Sequence, residues 1–177
     1  IMAIKYIRNL KMRFLIIKIL LLSVIFAQQK VDSFFVYDFD DKPFYLSDEL
    51  KKDKLIFINF FATWCGPCLG ELPYIEELKN NNPQISFFII HVDNLYQNNI
   101  LLKEPEQNVV LQMLRNRSIS FKKSNLLYDK YAVVAEKYGV KTLPQSFLIS
   151  DKGQILADYK VIDSNSKNTI QQDIDRL

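Results

Sequence analysis

The run LIFINFF, residues 55–61, is apolar at nearly every position. So is ISFFIIHVD, residues 85–93. Nearly continuous apolar runs of this length predict strands covered on both faces of a sheet. Between them, CLGELPYIEELKNN sets Leu69, Leu72, Ile75 and Leu78 at intervals of three, the mark of a helix with one buried face. Upstream, FFVYDF, DDKP and FYL read as strand, turn and strand. Ser47 ahead of DEL predicts a capped short helix or turn. Downstream, NVVLQMLRNR predicts a helix and ISFKKS a short extended piece. KYAVVAEKYGV predicts a helix ended by Gly139. QSFLIS and QILADY flank the turn DKG as a hairpin, and SKNTIQQDIDRL closes the chain as a helix.

The element order is thus β-β, then β-α-β-α, then β-β-α. Strand–helix–strand alternation requires a parallel pair, and the late hairpin adds antiparallel strands. The expected fold class is α/β, a central mixed sheet flanked by helices with an amino-terminal β-hairpin. Residues 94–107, NLYQNNILLKEPEQ, follow no period and predict an irregular insertion.

Composition bounds this picture. The chain has 177 residues, 49% of them hydrophobic, enough for one domain with a real core. Its net charge of +3 misleads, because Lys5, Arg8, Lys11, Arg13 and Lys18 stand at the start without an acidic partner. The rest carries 18 basic against 20 acidic residues, which is no footprint for nucleic acid. The basic start leads into FLIIKILLLSVIFA, residues 14–27, interrupted by Lys18. A positive region before a short apolar run predicts a secretory signal cleaved after about Ala27 or, failing cleavage, an amino-terminal anchor. No cysteine ends the run, so a lipid anchor at that point is excluded. The expected division is 1–27 as signal or anchor and 28–177 as the folded domain.

The chemistry rests on Cys65 and Cys68, the only two cysteines, in FFATWCGPC. A structural zinc site wants four ligands, and two cysteines with the single His91 do not supply them. A bridge closing so short a loop is a weak staple. Thiol–disulfide exchange explains the placement better. The pair follows a buried strand and opens a helix, where unpaired N–H groups and the positive helix end favour a thiolate. Pro67 suits the first helical turn, where its missing donor costs nothing. Cys68, one turn behind, can attack a mixed disulfide formed at Cys65.

FINFFATWCGPCLGELPYIEEL resembles the active-site stretch of thioredoxin-fold proteins, and most of all the exported TlpA/ResA-like branch that includes cytochrome c maturation thioredoxins. FFVYDFDDKPFYLSDEL resembles that branch's amino-terminal hairpin, and YGVKTLPQSFLISDKGQI its proline-to-hairpin region. Asn59 stands where cytosolic thioredoxins usually have a buried Asp. The likeness spans roughly residues 34–160 and implies a thioredoxin-like fold over 28–177. It implies that Pro144 is a cis-proline facing the cysteines, and that Trp64, Gly66, Pro67, Leu143 and Pro144 meet the substrate peptide. It also implies that Glu71 is catalytic. Glu71 lies one turn after Cys68 on the apolar face, where a carboxyl is pushed towards its neutral form and can exchange a proton with Cys68. The competing reading leaves Glu71 in solvent, merely favouring the helix dipole.

Pro73 should bend its helix. Glu76 and Glu77 read as a solvated face, and His91 as structural. The implied function is an exported, periplasmic or otherwise extracytoplasmic protein thiol–disulfide oxidoreductase. Its redox-active Cys65–Cys68 disulfide is the only redox group required, with no metal or other cofactor. Gly66-Pro67 is the dipeptide of reducing thioredoxins, so the direction expected is reduction of cysteine-containing exported proteins such as apocytochrome c. Electrons would come from a membrane thiol donor. The alternatives are a general oxidant or isomerase of exported proteins, and a copper-binding assembly protein using Cys65, Cys68 and His91.

Overall fold

The computed structural model describes Val31, residues 33–92 and residues 107–177. The expected signal or anchor, 1–27, lies outside the described residues, as does the insertion 94–107 except for Gln107. The elements, in chain order, are β1 (Phe35–Asp38), β2 (Pro43–Tyr45), α1 (Leu46–Leu50), β3 (Ile56–Phe61), α2 (Gly66–Asn81), β4 (Ser86–His91) and α3 (Gln107–Arg115). A 3-10 turn, Lys123–Asn125, precedes β5 (Leu126–Tyr128), α4 (Val133–Lys137), β6 (Gln145–Ile149), β7 (Ile155–Tyr159) and α5 (Ser164–Asp175).

The strands form one mixed sheet in the order β2-β1-β5-β4-β3-β6-β7. β3 is one of its inner strands. It pairs parallel with β4, Phe57 opposite Phe87, and antiparallel with β6, Asn59 opposite Ser146. Every residue of β3 is buried, as its nearly continuous apolar run predicts. Successive side chains alternate faces. Phe57 and Phe61 belong to the core beneath α2, α3 and α5, together with Leu72, Ile75, Val110 and Ile170. Ile58 and Phe60 belong to the opposite core, with Phe88, Phe147 and Val134 of α4. Asn59 lies in phase with Phe57 and Phe61, so the one polar residue of β3 points at α2.

Helix α2 buries Cys68, Glu71, Leu72, Ile75 and Leu78, with Leu69 half-buried and Pro73 exposed. Its end is held by Asn82, which donates to Leu78 O at 2.8 Å and exchanges amide hydrogen bonds with Gln171 of α5 at 2.7 and 3.0 Å. A capping box starts α5. Asp163 accepts from the amides of Asn165 and Ser166, and Ser166 Oγ accepts from the Asp163 amide. Tyr159 of β7 donates its hydroxyl to Asp173 at 2.9 Å and lies parallel to Phe57. These contacts fix the β7–α5 connection over the middle of α2. At the other end of the sheet, the Val31 amide donates to Gly153 O at 2.7 Å, in the β6–β7 turn.

Four local expectations are corrected. The extended piece forms at Leu126–Tyr128 rather than 119–124, and it is an inner strand, between β1 and β4. The helix of 130–140 shrinks to α4, five residues that begin after left-handed Ala132. Buried Asp129 explains that start, since it accepts from the Ala135 amide at 2.8 Å. Ser47 lies inside α1 and is not its cap, because the helix starts at buried Leu46 with Tyr45 in the cap position, two residues before Ser47. Glu76 is not a solvated side chain, for it accepts from the Ser120 amide at 2.6 Å and so pins the loop after α3 to α2. Glu77 does lie at the surface, 2.7 Å from Lys167. Among the described residues no helix is long and apolar enough to cross a membrane.

Leu72 has no exposed surface and joins α2 to the sheet. Leu72→Ala should therefore lower stability by about 2–5 kcal/mol, read as a lower urea midpoint at unchanged slope. Lys167→Ala, which breaks a partly exposed ion pair, should cost no more than about 1 kcal/mol in the same assay.

Candidate active site

β3 ends at Phe61, and the chain turns through Ala62–Trp64 into α2. Cys65 is the N-cap residue of that helix, with extended backbone. Its Sγ accepts a hydrogen bond from the Cys68 amide at 3.2 Å. A serine or aspartate oxygen commonly fills this place, so the sulfur satisfies one of the helix's free donors. The same donor and the positive helix end stabilise negative charge on that sulfur once the pair is reduced. Pro67 sits in the first turn, where no N–H is required.

The two sulfurs form a disulfide with an S–S distance of 2.05 Å and Cα atoms 5.2 Å apart. Cys65 keeps 5% of its surface and Cys68 none, so the first cysteine is the one solvent can reach. Trp64 beside it is 47% exposed, and Gly66 and Pro67 are exposed too. The Leu143–Pro144 peptide bond is cis, as the resemblance predicts. Pro144 is buried, and half-buried Leu143 packs on the core cluster that contains both cysteines. His91 packs among Phe39, Phe61 and Tyr128 at the end of β4. The described residues contain no group of three or more His, Cys, Asp or Glu able to hold a metal ion.

Glu71 is the charged residue of this core, at 1% exposure. The solvent-facing alternative therefore fails. Its Oε1 accepts from Asn59 Nδ2 at 2.7 Å and its Oε2 from the Ile162 amide at 2.8 Å. Asn59 Nδ2 also donates to Ser146 Oγ at 2.9 Å. Burial pushes the carboxyl up to about 8, against the smaller pull of the two hydrogen bonds. A group poised there gives and takes a proton near neutral pH.

The sequence points to Glu71 but not to its partners. Asn59 was visible as a polar residue in an apolar run, whereas its bond to Glu71 depends on strand phase. Ile162 contributes only a backbone amide, placed by the β7–α5 connection, and no residue type announces that.

Sheet order, helix placement and the pair at the mouth of α2 make this a thioredoxin-like α/β protein. A family model described as Redoxin matches residues 27–174, and the chain belongs to that family. It is 30% identical over 132 residues to thiol-disulfide oxidoreductase ResA of Bacillus thuringiensis subsp. konkukian (strain 97-27), which covers 75% of this chain and 68% of the relative. Among solved structures, StoA from Bacillus subtilis matches with a TM-score of 0.61 at 19% identity, over 81% of this chain and 96% of that one. A secreted disulfide oxidoreductase from Mycobacterium tuberculosis matches with a TM-score of 0.63 at 16% identity, over 81% and 96%. The chain is a thiol–disulfide oxidoreductase, and its substrates are cysteine-containing molecules.

The buried carboxyl yields a test in the oxidised protein, where the cysteines do not titrate. An acid whose folded value is raised stabilises the fold fully below its unfolded value and loses that contribution as pH rises through the folded one. For Glu71 the window runs from 4.5 to about 8. Glu71→Gln escapes the cost of ionisation. Its stability relative to wild type should therefore climb by about 1.4 kcal/mol per unit across this window, to about 3–5 kcal/mol between pH 5 and pH 9. Urea midpoints of the two oxidised proteins at both pH values measure this. A constant difference would place Glu71 outside the titrating groups.

Proposed function

We propose that this protein is an exported reductant of protein disulfides, with apocytochrome c among its substrates and a membrane thiol as its electron donor. The observation that carries the reading is the pairing of a helix-capping sulfur, Cys65, with a buried proton carrier, Glu71, one turn behind Cys68. The basic and then apolar start supports export. Gly66-Pro67 supports the reducing direction, since the same dipeptide accompanies a potential of about −270 mV in thioredoxin.

The Cys65 thiolate attacks one sulfur of the substrate disulfide. A mixed disulfide forms, and the other substrate sulfur leaves as a thiolate that takes a proton from water. Cys68 then passes its proton to the Glu71 carboxylate, and its sulfur attacks Cys65 Sγ. The mixed disulfide breaks, the Cys65–Cys68 bond forms, and the second substrate sulfur leaves. Two electrons have moved from the chain to the substrate, and the proton on Glu71 returns to solvent or product. Trp64, Gly66, Pro67, Leu143 and Pro144 provide the surface on which the substrate peptide lies. No group beyond the cysteine pair carries electrons.

Cys68→Ala should trap substrates as mixed disulfides on Cys65, recovered by alkylation and mass spectrometry. The reciprocal Cys65→Ala should trap at least ten times less; the reverse pattern would exchange the two roles. In living cells, acid quenching and a mass-tagging alkylator should find the pair mostly as the dithiol, and deletion of the gene should lower holocytochrome c. A pair held almost wholly as the disulfide, with cytochromes intact, would instead make the protein an oxidant or isomerase.

A further inference from the structure

Asn59 holds a feature that the exchange chemistry leaves unused. Its side chain is fully buried. Nδ2 makes two hydrogen bonds, to Glu71 Oε1 at 2.7 Å and Ser146 Oγ at 2.9 Å. Its Oδ1 is buried and has no hydrogen-bond partner among the described residues. Both oxygens of Glu71 meet N–H groups, Nδ2 on one side and the Ile162 amide on the other. That arrangement suits a carboxylate. A carboxylic acid carries an O–H that needs an acceptor, and neither N–H offers one. An idle acceptor nevertheless sits on the same amide that touches Glu71, namely Asn59 Oδ1.

We propose that Asn59 is a positioning residue for Glu71 whose amide turns over with the Glu71 proton. Nδ2 donates to the carboxylate, and Oδ1 accepts from the carboxylic acid. A half-turn of the amide plane puts Oδ1 where Nδ2 now lies, within hydrogen-bond reach of Glu71 Oε1 and Ser146 Oγ. Glu71 O–H then donates to one lone pair of Oδ1 and the Ser146 hydroxyl to the other. Serine serves both states, because a hydroxyl accepts or donates by rotating its hydrogen. The only covalent bond that changes is the O–H of Glu71.

Each orientation satisfies Glu71 and Ser146 and leaves one end of the Asn59 amide without a partner. Hydrogen-bond count therefore favours neither orientation, and the proton decides. Leucine, close to asparagine in shape, removes both functions. Aspartate adds a second acid that must share a proton with the first.

The surrounding groups leave Glu71 as the driver. On its own helix it lies one turn from Cys68, which is tied up in the disulfide when oxidised. β3 and β6 present Asn59 and Ser146. The β7–α5 connection presents the Ile162 amide, while neighbouring Asp163 turns its carboxylate to the Asn165 and Ser166 amides. Tyr159 on β7 turns its hydroxyl to Asp173. No charged side chain is among the groups that shift the proton affinity of Glu71.

The role in catalysis rests on Glu71 as proton carrier, but the turnover of the amide can be tested in the resting oxidised protein, apart from any exchange reaction. In the isotope-labelled full chain, the Glu71 carboxyl carbon is followed by NMR from pH 5 to 10. Nuclear Overhauser contacts from the Asn59 side-chain NH2 to Ser146 Hβ and Glu71 Hγ are recorded above and below the midpoint. These contacts should be strong above it and lost below it. In Glu71→Gln the Asn59 contacts should be the same at both pH values. A purely structural asparagine would keep one pattern throughout. Contacts unchanged across the midpoint, a pH-dependent pattern that survives in Glu71→Gln, or a Glu71 carbon that does not titrate in this range would each overturn the proposal. Loss of the exchange reaction with the amide turnover intact would count against the proposed function instead.

Discussion

A carboxyl group buried against the inner strand of a sheet is costly, and most of the site is arranged around that cost. Glu71 is shielded from water and held by two N–H groups. One belongs to the strand that leads into the cysteines, the other to the connection that leads into the last helix. Removing a carboxylate from water is penalised by several kcal/mol, and two hydrogen bonds do not return it. Burial therefore favours the protonated form at neutrality and keeps ionisation within reach just above it. Many distant contacts bear on it. The Asn82–Gln171 amide pair, the Tyr159–Asp173 bond and the Asp163 capping box all fix α5 and its connection against α2. Without them the Ile162 amide would have no fixed place.

What could be read from the chain alone divides along physical lines. Strands buried on both faces declare themselves by composition, so β3 and β4 were legible, while β6 was legible from the turn that follows it. The cysteine pair was legible because its spacing and its position between a strand and a helix both serve one chemistry. β5 was missed because its three residues, Leu126–Tyr128, are too few to establish a period. Its place between β1 and β4 comes from the sheet around it. α4 is shorter than the sequence pattern predicts because Tyr131 and Lys130 continue a helical pattern that Asp129, accepting from the Ala135 amide, and left-handed Ala132 cut short. Glu76 was misread because its partner is a backbone amide 44 residues away.

The site has the same two layers. Residue types with their own reactivity, cysteine and a carboxyl on an apolar stripe, are visible in sequence. Their reactivity is set first by burial and then by an amide of the backbone and an asparagine phased to one side of a strand, itself bonded to a serine on the next strand. None is unusual by type, and their effect comes only from where the fold brings them. A single sequence therefore reveals what the chemistry is more readily than the pH at which it runs.

The bond between Val31 and the β6–β7 turn places Val31 at one end of the sheet. β3 runs from Ile56 to the cysteines, and β6 lies antiparallel beside it, so the turn holding Gly153 is at the end of the sheet remote from Cys65. Six residues of strand at about 3.3 Å each put that end roughly 20 Å from the one that leads to the disulfide. The chain thus enters the domain at one pole and does its chemistry at the other. A lipid surface met through the entry pole would leave the sulfurs pointing outward, open to soluble partners. A thiol donor embedded in that surface would have to extend past the domain's flank, or the domain would have to tip over, before electrons could pass.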